Sequence, residues 1–343
     1  MFRVKALFNR AVRFLDFHEY SVMATLDPLM PIGTDRPVVA PDGRKPRVVI
    51  LADRPGWAHD ASAIPISRSL SDEFEVRVEY VSRHPNLSRW PFDIIYVLFW
   101  GEEYHHKYVS DAKRVIKQIS SHRWQDRFTP GQLAEKYLMD AGTLAVPSKR
   151  LQDLLAPHRQ VFLAQKGFDP TVFLAGQRPK EGLRIGWVGR IDDSCKGLND
   201  IIRPAAGDDF ELRIAGGDLT RAQMAGFYNS IDVICIASTG EGDPLPLIEG
   251  MACGCFPICV DVGIVPELVQ HAQNGLIVDR TEAAFREAFQ WCAENVEYVR
   301  AAGLRNAQDM LRTRTWEVVS AQWRTVMRHA YLRAIDLPEE DRP

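Results

Sequence analysis

From Arg47 onward the chain alternates short apolar runs with stretches in helical rhythm. RVVILAD (47–53), EVRVEYV (75–81), DIIYVLFW (93–100) and VIKQISSH (115–122) read as strands, and GTLAVPS (142–148) and VFLAQKG (161–167) as weaker ones. A polar Gly/Pro stretch, AGQRPKEG (175–182), interrupts the series. The rhythm then restarts with LRIGWVG (183–189), FELRIAGG (210–217), IDVICIAS (231–238), CFPICVD (255–261) and LIVD (276–279). Helical patterns fill the gaps, the first at 61–70, and the chain closes in helices near 281–292, 295–311 and 316–334. Alternating strands and helices build βαβ units with a parallel sheet. Strands that are apolar along their whole length belong to a sheet covered on both faces. Two such series on either side of a linker predict two α/β domains facing each other. The cleft beyond the carboxyl ends of their strands is then the default ligand site.

Before Arg47 the pattern differs. Phe2, Leu7, Ala11, Phe14, Leu15 and Phe17 recur at helical spacing among arginines. That is the signature of a helix packed on the domain or, alternatively, of an anchor lying in a membrane interface. Five prolines between 27 and 46 mark a linker with no role in a core. Charges interrupt any signal-peptide core, and no apolar run reaches the roughly 18–20 residues of a membrane span. Over 343 residues, 42 Lys and Arg against 45 Asp and Glu leave a net charge of −3, which excludes a general nucleic-acid footprint. The six cysteines sit mostly in apolar segments, as buried thiols in a reducing compartment do. Cys253-x-Cys255 has no second ligand cluster beside it, and no metal site is expected.

Candidate chemistry concentrates in the second series. Gly189-Arg190 ends one strand, and Lys196-Gly197 opens the next helix. A strand–loop–helix turn carrying Arg and Lys suits a phosphate, through backbone N–H groups, helix N-terminus and side-chain charge together. From Ala222 to Asp279 there is no Lys or Arg, yet seven acidic residues lie there. Cations that neutralise an anionic ligand must therefore come from outside that window, with Arg190 and Lys196 nearest by topology. The segment STGEGDPLPLIEGMACG (238–254) follows a buried strand and turns into a helix. Asp243 before Pro244 has the form of an N-cap with Pro at the first helical position. Glu241 falls in the preceding loop and Glu249 within the helix. Two carboxylates around one strand–helix turn are strong acceptors for sugar hydroxyls.

These motifs resemble family 4 of the retaining, nucleotide-sugar-dependent glycosyltransferases, whose signature is a Glu, seven residues and a second Glu opening a helix. Here the pair is Glu241 and Glu249 in EGDPLPLIE. GWVGRIDDSCKG (186–197), LRIAGGD (212–218) and GIVPELVQHAQNGLIV (263–278) are similar to further family elements in the family's order, as are TLAVPSKRLQDLL (143–155) and AQKGFDPTVF (164–173). The resemblance implies the GT-B fold: α/β, with two Rossmann-like βαβ domains facing across a cleft. The chain then divides into an amphipathic helix and Pro-rich linker (1–46), an acceptor domain (47–174), a donor domain (183–315) and a final helix (316–343), which the resemblance implies returns to the first domain. It implies that Glu249 binds the donor ribose, that Glu241 lies near the transferred sugar, and that Arg190 and Lys196, with Gly189, meet the diphosphate. It also implies chemistry with no metal or cofactor. The family has Phe-Gly or a similar pair where this chain has Asp243-Pro244. With Pro246 following, only the N–H groups of Leu245 and Leu247 remain to face a diphosphate.

In the first domain, the family's Gly-Gly loop is replaced by RPGWAHD, whose Gly56, Trp57 and His59 are candidates for contact with sugar or acceptor. The family's sugar-side His falls to His122, with His105 and His106 as lesser alternatives. The implied activity is transfer of a hexose-type sugar from a UDP-, GDP- or ADP-sugar to a glycan or lipid-linked acceptor. The implied setting is bacterial surface-polysaccharide assembly, in the cytoplasm or peripherally at the inner face of the membrane through residues 1–20. The alternative is a non-catalytic subunit of the same fold that binds nucleotide or glycan. A dinucleotide-dependent oxidoreductase is disfavoured, because no G-x-G-x-x-G follows the first strand.

Overall fold

The computed structural model describes residues 36–56, 59–178 and 181–335. The first 35 residues, with the expected amphipathic helix, lie outside them, as does Trp57. Among the described residues eleven strands form two parallel sheets. The first comprises β1 (Arg47–Ala52), β2 (Glu75–Tyr80), β3 (Ile94–Val97), β4 (Val115–Gln118), β5 (Thr143–Val146) and β6 (Val161–Leu163), in the order β2-β1-β3-β4-β5-β6. The second comprises β7 (Arg184–Val188), β8 (Glu211–Ala215), β9 (Val233–Ile236), β10 (Phe256–Cys259) and β11 (Leu276–Ile277), in the order β11-β10-β9-β7-β8. Every strand falls within a run read as a strand from its apolar pattern.

Alternate residues of the first sheet feed two cores. Val48, Ile50, Tyr96 and Ala145 face one side, and Val49, Leu51, Ile95, Val97 and Leu144 face the other. The second side is covered by α2 (Pro130–Tyr137) and α3 (Lys149–Leu155), which bury Leu133 and Leu151 against it. The first side is covered by α1 (Asp60–Ser69) and by α10 (Trp316–Ala334), whose Trp323, Val326, Met327 and Tyr331 are buried on it. Between β7 and α10 lie α4 (Arg203–Ala206), α5 (Arg221–Asn229), α6 (Leu245–Ala252), α7 (Val265–Leu268), α8 (Glu282–Glu294) and α9 (Val296–Thr313), around a separate core. The chain crosses between domains after β6 and again between α9 and α10. The two crossings are bonded to each other: Phe168 N–H donates to Arg314 O (3.0 Å) and Trp316 N–H to Phe168 O (3.2 Å).

The linker reading of 27–46 needs correction where the segment is described. Val38 and Ala40 are buried in the first core, and Val38 N–H donates to Glu73 Oε1 at 2.9 Å. Glu73 is gripped at 2.8 and 2.7 Å by Arg328 of α10, so the proline-rich stretch is tied into the fold it precedes. Five of the six cysteines are buried. Among the described residues no helix is long and apolar enough to cross a membrane.

Candidate active site at the domain seam

The end of β7 builds the first part of the site. Asp193 caps the short turn Ser194–Lys196, its Oδ1 accepting the Cys195 N–H at 3.2 Å. The other oxygen, Oδ2, lies 3.0 Å from Arg190 Nη2 and 3.0 Å from Arg123 Nη2, the latter reaching over from the first domain. Burial would raise the Asp193 carboxyl, but the two guanidinium groups outweigh it and hold it at about 2. Lys196 Nζ pairs with Glu241 Oε1, bringing together two residues 45 positions apart. The N–H of Gly189 donates to Ala215 O (3.1 Å) and thus continues the sheet instead of facing the loop.

The second part is the strand–helix turn after β9. The expected cap is corrected: α6 begins at Leu245 with Pro244 at its cap and no side-chain bond there. Asp243 is buried and turned the other way, accepting the Lys166 N–H at 2.7 Å, with Lys166 Nζ 3.0 Å from Oδ1. A buried carboxylate needs such a partner, and the cation from the first domain outcompetes a local cap. The Leu247 N–H is likewise not free for a phosphate, since it donates to Pro244 O at 3.0 Å. Leu245, half-buried, holds the first position of the helix. One turn further in, Glu249 is 6 % exposed. Its Oε2 accepts the hydroxyl of buried Tyr228 (3.2 Å), and its Oε1 lies 3.3 Å from Arg221 Nη1. Arg221 is set at the head of α5 by a reciprocal Thr220–Gln223 capping box. Burial pushes the Glu249 carboxyl up to about 7, against the opposing pull of Arg221 and Tyr228. A cavity of about 730 Å³ opens beside Arg221, between α1, Asp169 and the start of α10, and both domains line it.

The seam itself is tight. A Cβ on Gly242 would collide with the Ser120 carbonyl oxygen and lie 2.5 Å from Pro147 Cγ, so the loop between the two glutamates touches the ends of β4 and β5. Gly263, at φ +52°, lets the Ile264 N–H reach Gly242 O at 2.7 Å and fixes that loop from behind. Around it, Arg150 Nη2 bonds Asp261 (2.5 Å), and Glu267 accepts from Lys149 N–H (2.8 Å) and from Gln165 (2.9 Å).

Of the first-domain candidates, His122 lies at this seam, following β4. Its Nδ1 is 3.0 Å from Gln125 Oε1, while its buried Nε2 has no hydrogen-bond partner among the described residues. Burial lowers its pKa, so the ring is neutral at pH 7; with Nδ1 donating to Gln125, Nε2 is an available acceptor. His59 heads α1, 3.5 Å from Asp53 and tilted against Phe99. Gly56, at φ +76°, donates its N–H to Asp60 Oδ2 (2.8 Å) and shapes the β1–α1 turn. His105 and His106 lie away from the seam. They meet Asp140 Oδ2 at 3.2 and 2.6 Å, and Lys117 Nζ reaches the same oxygen at 2.6 Å. Asp140 precedes β5, at the end of the sheet opposite the seam. Arg123, Lys166, Tyr228 and Arg221 were not foreseen. For Lys166 and Arg221 the cation-free window of 222–279 is the signal: its carboxylates Asp243, Glu249 and Asp261 draw Lys166, Arg221 and Arg150 from outside it, whereas Arg123, set on Asp193, and Tyr228, inside the window, carry none.

The arrangement of two facing parallel-sheet domains is the GT-B fold. The structure resembles sucrose-phosphate synthase from Thermosynechococcus elongatus, with TM-score 0.67 and 15 % identity over 81 % of this chain and 97 % of that one. It also resembles Anabaena Alr3699/HepE in complex with UDP and glucose, with TM-score 0.60 and 14 % identity over 81 % and 98 %. In sequence, residues 216–308 match the family model described as Glycosyl transferases group 1. The chain is 28 % identical over 141 residues to the D-inositol 3-phosphate glycosyltransferase of Pseudarthrobacter chlorophenolicus, covering 39 % of this chain and 33 % of that protein. To the enzyme of the same name from Arthrobacter sp. strain FB24 it is 25 % identical over 186 residues, covering 42 % and 44 %. The chain thus spans between a third and a half of the curated relatives it matches.

Proposed function

We propose that the protein is a retaining glycosyltransferase of family 4 that moves a hexose-type sugar from a nucleotide-diphosphate sugar to a glycan or lipid-linked acceptor. The observation that carries this reading is the Lys196–Glu241 pair beside the Arg190–Asp193 contact in the loop after β7, with buried Glu249 eight residues past Glu241, in a domain that matches a glycosyltransferase family model. The HepE structure, which holds UDP and glucose on the same fold, supports a uridine or related nucleotide as donor.

In this reading Arg190 and Lys196 take the charge that grows on the diphosphate as the bond from its oxygen to the anomeric carbon breaks. The acceptor hydroxyl attacks on the face that the leaving group departs from. Its oxygen forms the new bond to that carbon, and its proton passes to the departing phosphate oxygen. The two cations supply the positive charge that a metal supplies elsewhere, so the reaction runs without one. Glu249 accepts the ribose hydroxyls, Glu241 sits against the sugar, and neutral His122 offers Nε2 to a sugar hydroxyl.

A thermal-shift screen with UDP, GDP and ADP and their sugars tests the donor, because a ligand that binds the folded state raises apparent stability by mass action. The expected result is a shift with one base, followed by release of that nucleoside diphosphate when acceptor extract is added. A shift without release would favour the non-catalytic binding subunit. No shift with any of them would overturn the reading.

A further inference from the structure

We infer that Arg123, from the first domain, is a third cation for the donor diphosphate, and that Asp193 is an internal anion holding Arg123 and Arg190 convergent until the diphosphate takes its place. The inference rests on the donor reading above and deepens it.

Three observations carry it. Both guanidinium groups point at one carboxylate oxygen, Asp193 Oδ2, each at 3.0 Å. Two forks converging on one anionic oxygen make a cradle that a phosphoryl group fits equally well, since guanidinium geometry matches carboxylate and phosphate alike. Next, the cradle is accessible although its anion is not: the Arg123 and Arg190 side chains are 41 % and 55 % exposed, against 8 % for Asp193. Incoming phosphate can thus approach the guanidinium groups from the solvent side. Finally, Arg123 is fixed beside the reaction corner. A Cβ on Gly240 would lie 3.1 Å from Arg123 Cγ, and Gly240 precedes Glu241, the partner of Lys196.

Charge balance supports the exchange. Arg123, Arg190 and Lys196 stand against Asp193 and Glu241, a net of +1 with both carboxylates in place. Relaxing the Asp193 contact leaves +2 facing the diphosphate. Because Arg123 belongs to the other domain, the diphosphate would then be held from both sides of the cleft, and donor binding would draw the domains together. A plain seam latch between Arg123 and Asp193 is the competing account, and the two differ in sign.

The test measures binding of UDP, GDP and ADP, and of the matching nucleosides, by calorimetry on the full chain and on Arg123→Ala, Asp193→Asn and the double variant. Asn keeps the turn cap through its amide oxygen, and unliganded melting confirms that each variant folds. For whichever diphosphate binds wild type, Arg123→Ala is expected to weaken affinity about tenfold, with nucleoside affinity unchanged. Asp193→Asn should tighten diphosphate binding several-fold, and the double variant should lose that gain. Equal weakening by both single variants with nothing added by the double, or no effect of Arg123→Ala, would overturn the inference while leaving the donor reading intact. Absence of nucleoside diphosphate binding in wild type would instead remove the donor reading and this inference with it.

Discussion

Two glutamates eight residues apart end in opposite environments. Glu241, in the loop, belongs to a corner where each charge meets an opposite one: Lys196 on Glu241, and Arg190 and Arg123 on Asp193. Glu249, in the first turns of α6, is nearly sealed: it accepts the Tyr228 hydroxyl and pairs with Arg221 at 3.3 Å, yet burial still raises its pKa to about 7. On the proposed function, the corner exchanges one set of charges for another when the diphosphate binds, and Glu249 offers a poorly solvated acceptor to the ribose hydroxyls. The difference comes from a single helical turn that carries the chain from the seam into the core of the second domain.

Removing a cation from the corner should break that division most severely. Lys196→Ala is expected to lower kcat by about 30- to 1000-fold, on the order of 2–4 kcal/mol of barrier, with a smaller rise in donor KM. Steady-state kinetics with the donor identified by thermal shift checks this, and near-normal turnover would place the diphosphate elsewhere.

The pocket should respond in stability and in binding with opposite signs. The Glu249 carboxyl rises from 4.5 to about 7 on folding, so the folded state holds the proton more tightly and stability falls as pH rises through that interval. Above pH 7 the full cost applies, on the order of 3 kcal/mol at 1.36 kcal/mol per unit. Glu249→Gln should therefore melt higher than wild type at pH 8, with the gain vanishing towards pH 4.5, yet bind nucleoside more weakly. A variant that is no more stable at pH 8, or that binds as tightly as wild type, would erase the contrast.

Gly242→Ala probes the seam between the two regions. The new Cβ meets backbone and a proline ring, neither of which swings aside, so an overpacking cost of roughly 1–3 kcal/mol is expected. The domains should spread, lowering turnover while nucleoside binding in the Glu249 pocket persists; scattering and calorimetry read the two separately. The smallest effect should come from Arg150→Ala. That ion pair with Asp261 is well exposed, so melting should change by less than about 1 kcal/mol.

What sequence pattern made legible here is local. β1, β3 and β9 are unbroken apolar runs, and parallel strands buried on both faces require that composition. Arg190, Lys196, Glu241 and Glu249 were legible because they stand at strand–helix turns and match the order of the family resemblance. The errors came where a distant partner overrode a local preference. Asp243 before Pro244 has every local mark of a cap, but Lys166, 77 residues earlier in sequence, claims its carboxylate. The proline-rich stretch near Val38 looks like a linker until Glu73 and Arg328, the latter 255 residues beyond Glu73, are brought to it. Arg123 carries no motif at all, and only the fold sets it against Asp193.

The crossing back of α10 makes the first domain depend on the end of the chain. Domains generally fold as they leave the ribosome, the first one first. Here the first sheet has one face that stays partly bare, with Tyr96, Ile94 and Phe162 exposed, until Trp316 to Leu332 have been made. The second domain needs nothing beyond α9 for its own core. A chain ending near Thr313 would therefore hold a complete second-domain core beside a first sheet covered by α1, α2 and α3 but bare where α10 packs.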